Sequence, residues 1–269
     1  MKLAISTLVC PQWTLEQIAV AAAENGIGGV DFRGLGSEID VTKLPLFNEQ
    51  IEATLELLRS YKIVTPCLNT SVTLVTPAAQ RWQSMLEEMR RTAQLAKKMS
   101  TKFIRVFGGA LVSGMSRQEA VLLSQRRLRQ LVKMCGPFGC VPLVETHDQW
   151  ATAQQMLEMV HEFDPADVGV LWDVEHTHRS GENVEQTFSA MKRFVHHVHF
   201  KDSLWIDGKN SPRLLGEGDL PLRECCATLR EGGYAGWICL ETEKRWHAEA
   251  PEPGVSVPQF AGFMKKQID

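Results

Sequence analysis

The amino-acid sequence predicts the α/β class and, within it, a single-domain (β/α)₈ barrel spanning residues 1–269. Three observations carry this. Short β-branched runs alternate strictly with helix-patterned segments from one end of the chain to the other, and there are eight of each. The chain has 269 residues, close to the roughly 250 of barrels built as one unit. No low-complexity linker or block of like charge interrupts the pattern.

In order, strands are expected at 2–8 (KLAISTL), 28–33 (GGVDFR), 63–70 (IVTPCLNT) and 102–108 (KFIRVFG). Four more follow at 141–147 (VPLVETH), 168–174 (VGVLWDV), 195–201 (VHHVHFK) and 236–242 (GWICLET). Between them apolar residues recur at helical spacing over 14–25, 48–60, 79–99, 117–134, 151–163, 183–193, 220–231 and 256–268. The clearest stripe is Trp82, Met85, Leu86, Met89, Ala93, Ala96 and Met99, with charged and amide residues between. Strict alternation implies parallel strands, because parallel neighbours need a crossover connection. An open doubly wound sheet would announce itself with a Gly-rich phosphate loop after the first strand. That position reads Cys-Pro-Gln-Trp, and no G-x-G-x-x-G or Walker motif occurs. The connections 203–219 and 243–255, rich in Gly, Pro and Asp, are expected to be surface loops. They fall on the C-terminal side of the barrel, so a lid or substrate contact is an equal expectation.

Composition narrows the function. Hydrophobic residues are 44% of the chain, enough for a sizeable core, and the formal net charge is −3. That balance argues against a nucleic-acid partner or an anionic membrane surface. No run approaches the roughly 20 apolar residues of a membrane span. The short apolar start before Pro11 reads as a strand rather than a signal peptide. The seven cysteines (10, 67, 135, 140, 225, 226, 239) are odd in number and form no C-x-x-C pair. A reducing, cytoplasmic setting is the expectation. Homo-oligomerisation is left open.

The last four strands share a feature. Each ends in a residue able to bind metal: Glu145 in LVETH, Asp173 in LWDVEH, His199 in VHFKD and Glu241 in CLETE. Taken singly, an Asp or Glu at a strand end is more often a helix cap or a surface charge. Four on consecutive strands, each within apolar sequence, are different, because burying three carboxylates without a cation is very costly. Strand ends converge on one mouth of a barrel, so these residues can meet there. Three carboxylates and one imidazole make a hard set, suited to Mn²⁺ first, with Mg²⁺, Co²⁺ or Zn²⁺ as alternatives. Period two puts His147, Glu175, Lys201 and Glu243 on the same side where strand geometry persists. His147 and Lys201 are candidate substrate contacts, whereas Glu175 and Glu243 are expected to be solvated. His176 stands three residues after Asp173, either as a donor behind the metal ligands or as a further substrate contact. His161, His178, His196 and His197 are expected to be structural or exposed. Arg33, Arg105 and Lys201 could meet a phosphate, and an ion pair within the barrel is an equal reading for the two arginines.

The motifs VDFRG, FIRVFGG, VETH, DVEH, HVHFKD, LGEGDLPL and GYAGWICLETEKRWH cover essentially the whole chain. Together they resemble the xylose isomerase-like TIM barrel superfamily, in its sugar phosphate isomerase/epimerase group. The resemblance implies one divalent metal on Glu145, Asp173, His199 and Glu241, with His176 as the histidine of the D-x-x-H motif. It implies Glu145 and Glu241 as the acid/base pair, beside the candidate substrate contacts His147, His176, Lys201 and Arg105 read from position. The implied activity is a metal-dependent isomerase or epimerase of carbohydrate metabolism. Its substrate would be a sugar, sugar phosphate or keto-polyol, converted through an enediolate. The alternative is a lyase of the inosose-dehydratase type on the same site. Ketose 3-epimerases of this group carry a Glu six residues past the first metal Glu and an Arg six past the metal His. Here those positions are Ala151 and Trp205, which points away from free ketohexoses. Endonuclease IV shares the scaffold with a His-rich three-metal site and a basic surface, neither of which this sequence has. A non-enzymatic binding module would have no need of four intact ligands.

Overall fold

The computed structural model describes residues 1–76 and 78–268. Along the chain the elements are β1 (Lys2–Ser6), α1 (Leu15–Glu24), β2 (Gly29–Asp31), α2 (Ile51–Ser60), β3 (Cys67–Thr73), α3 (Ala79–Met99) and β4 (Phe103–Phe107). There follow α4 (Arg117–Cys135), β5 (Val141–Glu145), α5 (Ala153–Val160), β6 (Gly169–Asp173), α6 (Val174–Arg179), α7 (Val184–Met191) and β7 (Val195–Phe200). The last are β8 (Asp202–Ile206), β9 (Lys209–Arg213), α8 (Leu222–Glu231), β10 (Trp237–Leu240) and α9 (Pro253–Ile268). The residues group into two compact units, Met1–Pro66 with His197–Asp269, and Cys67–His196.

In the first unit β7, β10, β1 and β2 pair side by side, all parallel. The register sets Cys239 beside His199 and Ser6 beside Asp31, so the C-terminal ends of these strands sit together. Helix α1 begins where Thr14 and Gln17 form a reciprocal capping box. It buries Leu15, Ile18, Ala19 and Ala22, an i, i+3, i+4, i+7 face. The expected surface loop at 203–219 contains a hairpin, β8 against β9. Its turn is Asp207-Gly208, both at positive φ (49° and 74°), which is the two-residue turn whose twist matches a β-ribbon.

In the second unit β3, β4, β5 and β6 pair in that order, again all parallel. Helix α3 turns the predicted stripe inward: Trp82, Met85, Met89, Ala93, Ala96 and Met99 are buried. Capping boxes start α4 (Ser116 with Glu119) and α5 (Thr152 with Gln155). Strand β3 begins at Cys67, later than expected at 63, because Pro66 cannot donate to a ladder. The segment before it contributes a single bridge, Gly29 to Val64, inside the first unit. After β4 the chain carries Gly108-Gly109, over which fully buried Trp150 lies and donates from Nε1 to Gly109 O at 2.6 Å. A Cβ at Gly108 would fall 2.3 Å from Trp150 Cδ1, so this contact requires glycine.

All seven cysteines are buried, and none of them forms a disulfide. No helix among the described residues is long and apolar enough to cross a membrane.

Candidate metal centre

Within the second unit, β5 and β6 each deliver one acid. All five residues of β5 are buried up to Glu145, and all five of β6 up to Asp173. Glu145 pairs in register with Leu171, so Asp173 lies two residues further on and faces the same side. An oxygen of each carboxylate lies within 4.8 Å of the other. Thr146 fixes the end of β6: Asp173 N donates to its Oγ1 at 2.9 Å, and that hydroxyl donates to Asp173 O at 3.1 Å. Asp173 Oδ1 also accepts from Glu175 N, starting α6. The sequence pattern does not anticipate this helix. It is one short turn-and-a-half without an apolar stripe, held by Trp172 Nε1 donating to Thr177 Oγ1 at 2.9 Å.

Arg105 lies inside the barrel wall rather than open to a ligand. It is 2% exposed, and its Nε lies 3.2 Å from Glu145 Oε2. It donates from an NH group to Thr70 O at 2.9 Å and stacks on Phe107, its Cζ 3.9 Å from the ring centroid. His147 and His176, predicted separately, come together with ring centroids 4.3 Å apart. His147 also meets Phe107 edge-on at 4.9 Å, and His176 Nε2 lies 3.7 Å from Asp173 Oδ2. Asp148, which the sequence reading passed over, sits 3.0 Å from His147 Nδ1. That contact holds its carboxyl below the usual carboxylate range. Glu175 is buried in α6 with Arg179 Nε at 3.8 Å, contrary to the expected solvated side chain, because the strand gives way to helix at Val174.

Within the first unit, His199 is fully buried on β7, and Glu241, 2% exposed, extends β10 by donating from its N–H to Phe200 O. His199 Nδ1 lies 2.8 Å from Glu241 Oε2. The other oxygen, Glu241 Oε1, is buried and has no hydrogen-bond partner among the described residues. A buried carboxylate oxygen in that state is expensive unless a cation or substrate faces it. Lys201 is buried as well, its Nζ 3.6 Å from Glu243 Oε1. Glu243 is only half-buried and holds a left-handed backbone, φ 53°.

Two residues without a predicted role stand behind His199. Asp31, at the end of β2, and His197 are both fully buried, with His197 Nε2 2.6 Å from Asp31 Oδ2. Burial alone would raise the Asp31 carboxyl, but His197 and His199 outweigh it and hold it well below the usual range. The legible signal was His-Val-His: period two puts His197 on the face of β7 that carries His199. Of the two departures from the epimerase pattern, Ala151 is buried beside Trp150 in sequence and Trp205 is 56% exposed on the hairpin.

The curated proteins that the chain resembles in sequence include two kinds of dehydratase. The chain is 29% identical over 161 residues to inosose dehydratase of Bacillus licheniformis, covering 53% of this chain and 51% of that protein. It is 25% identical over 192 residues to 3-dehydroshikimate dehydratase of Bacillus anthracis, covering 67% and 64%. The matches thus span less than two thirds of either relative. In structure it superposes on a crystal structure of IOLI protein carrying a zinc atom, with a TM-score of 0.81 and 20% identity over 99% of this chain and 96% of that one. The profile of the xylose isomerase-like TIM barrel family matches residues 19–266. The (β/α)₈ barrel read from the strand alternation is therefore the fold, and the chain belongs to the xylose isomerase-like TIM barrel family.

Proposed function

We propose that this chain is a divalent-metal-dependent dehydratase of a small keto-sugar or keto-polyol. One observation carries the metal: buried Glu241 presents an oxygen without a hydrogen-bond partner among the described residues, beside a buried imidazole 2.8 Å from its other oxygen. Glu145 and Asp173, buried within 4.8 Å of each other, are the matching pair of the second unit. The four residues together would hold one cation, Mn²⁺ first by the hardness of the set, with Zn²⁺ next because the IOLI structure carries zinc. When bound, the ion would polarise the substrate carbonyl and acidify the neighbouring C–H.

The chain's own groups then divide the work. The Glu145/Glu241 pair takes the proton from the carbon beside the carbonyl and returns it to the β-hydroxyl, which leaves as water, so both carboxylates end as they began. The C–H and C–O bonds break and a C=C bond forms. Arg105 holds Glu145 in place through its buried ion pair, which makes it a positioning residue. His147 and His176, in ring contact, present hydrogen-bonding nitrogens to substrate hydroxyls, and Lys201 supplies a cation for a substrate oxygen. Dehydration is preferred to isomerisation because the two curated relatives described above are dehydratases and because Ala151 and Trp205 replace the acid and the arginine of the epimerase pattern.

The test is a panel of inososes, dehydroshikimate and keto-sugars given to metal-analysed protein in deuterated water, followed by NMR and mass spectrometry. The expected product is lighter by one water. Deuterium at the α-carbon with no loss of water would establish the isomerase or epimerase reading instead. No exchange and no product with any substrate would overturn enolisation altogether.

A further inference from the structure

We infer that Asp31 is the positioning residue for the metal-binding histidine, and that it assigns Nδ1 of His199 to the metal and Nε2–H to Asp31. The inference rests on the reading of His199 as a ligand. A neutral imidazole has one lone pair, so the nitrogen that binds a cation leaves the other protonated and in need of an acceptor. The His199 ring lies between two carboxylates. Glu241 Oε2 is on the Nδ1 side at 2.8 Å, and Asp31 Oδ2 is on the Nε2 side at 3.7 Å.

The two carboxylates differ in their surroundings. Glu241 has its second oxygen buried and without a partner, as a ligand would. Asp31 is tied down from behind. His197 Nε2 lies 2.6 Å from the same Oδ2, and Asp31 O accepts from Thr7 N at 2.9 Å, fixing the end of β2. Asp31 is therefore built as an acceptor, and Glu241 as a ligand. His197 and His199, two residues apart on one strand face with ring centroids 5.5 Å apart at 79°, both face that oxygen, His197 within hydrogen-bond distance at 2.6 Å and His199 at 3.7 Å. His197 is thus a brace: it spends its N–H on Asp31 so that the carboxylate stays pointed at the His199 ring. Second partners of this kind orient the ligand and raise its basicity, and their loss typically costs 10–100-fold in metal affinity.

The experiment uses the full chain and Zn²⁺ alone. Zinc dissociation constants are measured by chelator competition for wild type, Asp31→Asn and His197→Gln, alongside circular dichroism and melting of the zinc-free proteins. Binding weakened by roughly 10–100-fold in D31N, with the zinc-free fold retained, is the expected result. Equal affinity in wild type and folded D31N would overturn the inference and leave the metal reading standing. Failure of wild type to bind zinc, or another divalent ion, would overturn the metal reading and the inference with it. Should D31N not fold, long-range ¹H–¹⁵N spectra of zinc-loaded wild type decide. They should show His199 with Nε2 protonated and Nδ1 bound, and the opposite pattern would sink the assignment.

Discussion

Arg105 Nε lies 3.2 Å from Glu145 Oε2, with both side chains almost wholly removed from water. Breaking such a pair from one side leaves an uncompensated buried charge, at a cost of about 3–5 kcal/mol. Arg105→Gln should therefore lower the unfolding free energy, measured by urea denaturation, by that amount. Arg105→Lys keeps the charge but not the planar stack on Phe107 or the fork that also reaches Thr70 O, so it should fall between. An unfolding free energy for R105Q within about 1 kcal/mol of wild type would show that the pair does not hold Glu145.

The cation itself should be measurable as stability. A ligand present at about 1,000 times its dissociation constant adds about 4 kcal/mol to the folded state. Protein stripped by a chelator is expected to melt well below protein reloaded with Mn²⁺ or Zn²⁺. Glu145→Gln and His199→Ala should each bind less than the wild-type complement and lose that increment. Full occupancy by elemental analysis in both variants would remove these residues from the ligand set.

What could be read from the sequence follows from which residues bear the pattern. Each proposed ligand closes an apolar run, and in β5 and β6 those runs are buried throughout, so their ends stood out. The role of Asp31 did not, because VDFRG holds one acid two residues from an arginine, and only contact with His197 from a strand far along the chain gives it meaning. The place of Arg105 on β4 fits a substrate contact and an ion pair within the barrel equally, and that its partner is Glu145 is a tertiary fact that no local pattern encodes. The hairpin at 202–213 was hidden by its Gly, Pro and Asp content, although Asp207-Gly208 was the turn signal.

The connection after that hairpin depends on one buried carboxylate. Asp202 accepts from the backbone N–H groups of Ser203 (2.9 Å), Gly216 (2.7 Å), Gly218 (3.1 Å) and Leu220 (3.3 Å). A Cβ on Gly218 would fall 2.0 Å from Asp202 Oδ1 and 2.5 Å from Ser203 O, so the segment LGEGD cannot keep its course with alanine there. Gly218→Ala is expected to cost about 1–3 kcal/mol, the price of displacing hydrogen-bonded buried groups. Limited proteolysis should show new cleavage within 214–220. A variant as stable and as resistant to protease as wild type would mean that Asp202 does not organise the segment.

Stability should also carry the titration of His196, which lies outside the proposed ligands. Its ring stacks on Phe103 with centroids 5.4 Å apart and planes 9° apart, and Nε2 lies 2.7 Å from Pro165 O. Burial lowers its pKa from the ordinary 6.5; the Pro165 carbonyl opposes this, and Lys102 adds to it. A base whose folded pKa is lowered binds more protons when unfolded, so its contribution is complete above the unfolded pKa and is lost as pH falls through it. The wild-type unfolding free energy should drop between roughly pH 7.5 and 5, the range where a free histidine takes up its proton. His196→Gln keeps a donor for Pro165 O without the titration. It should be somewhat less stable at the upper end yet fall less steeply toward the lower. Parallel curves for the two proteins would assign the slope to other groups.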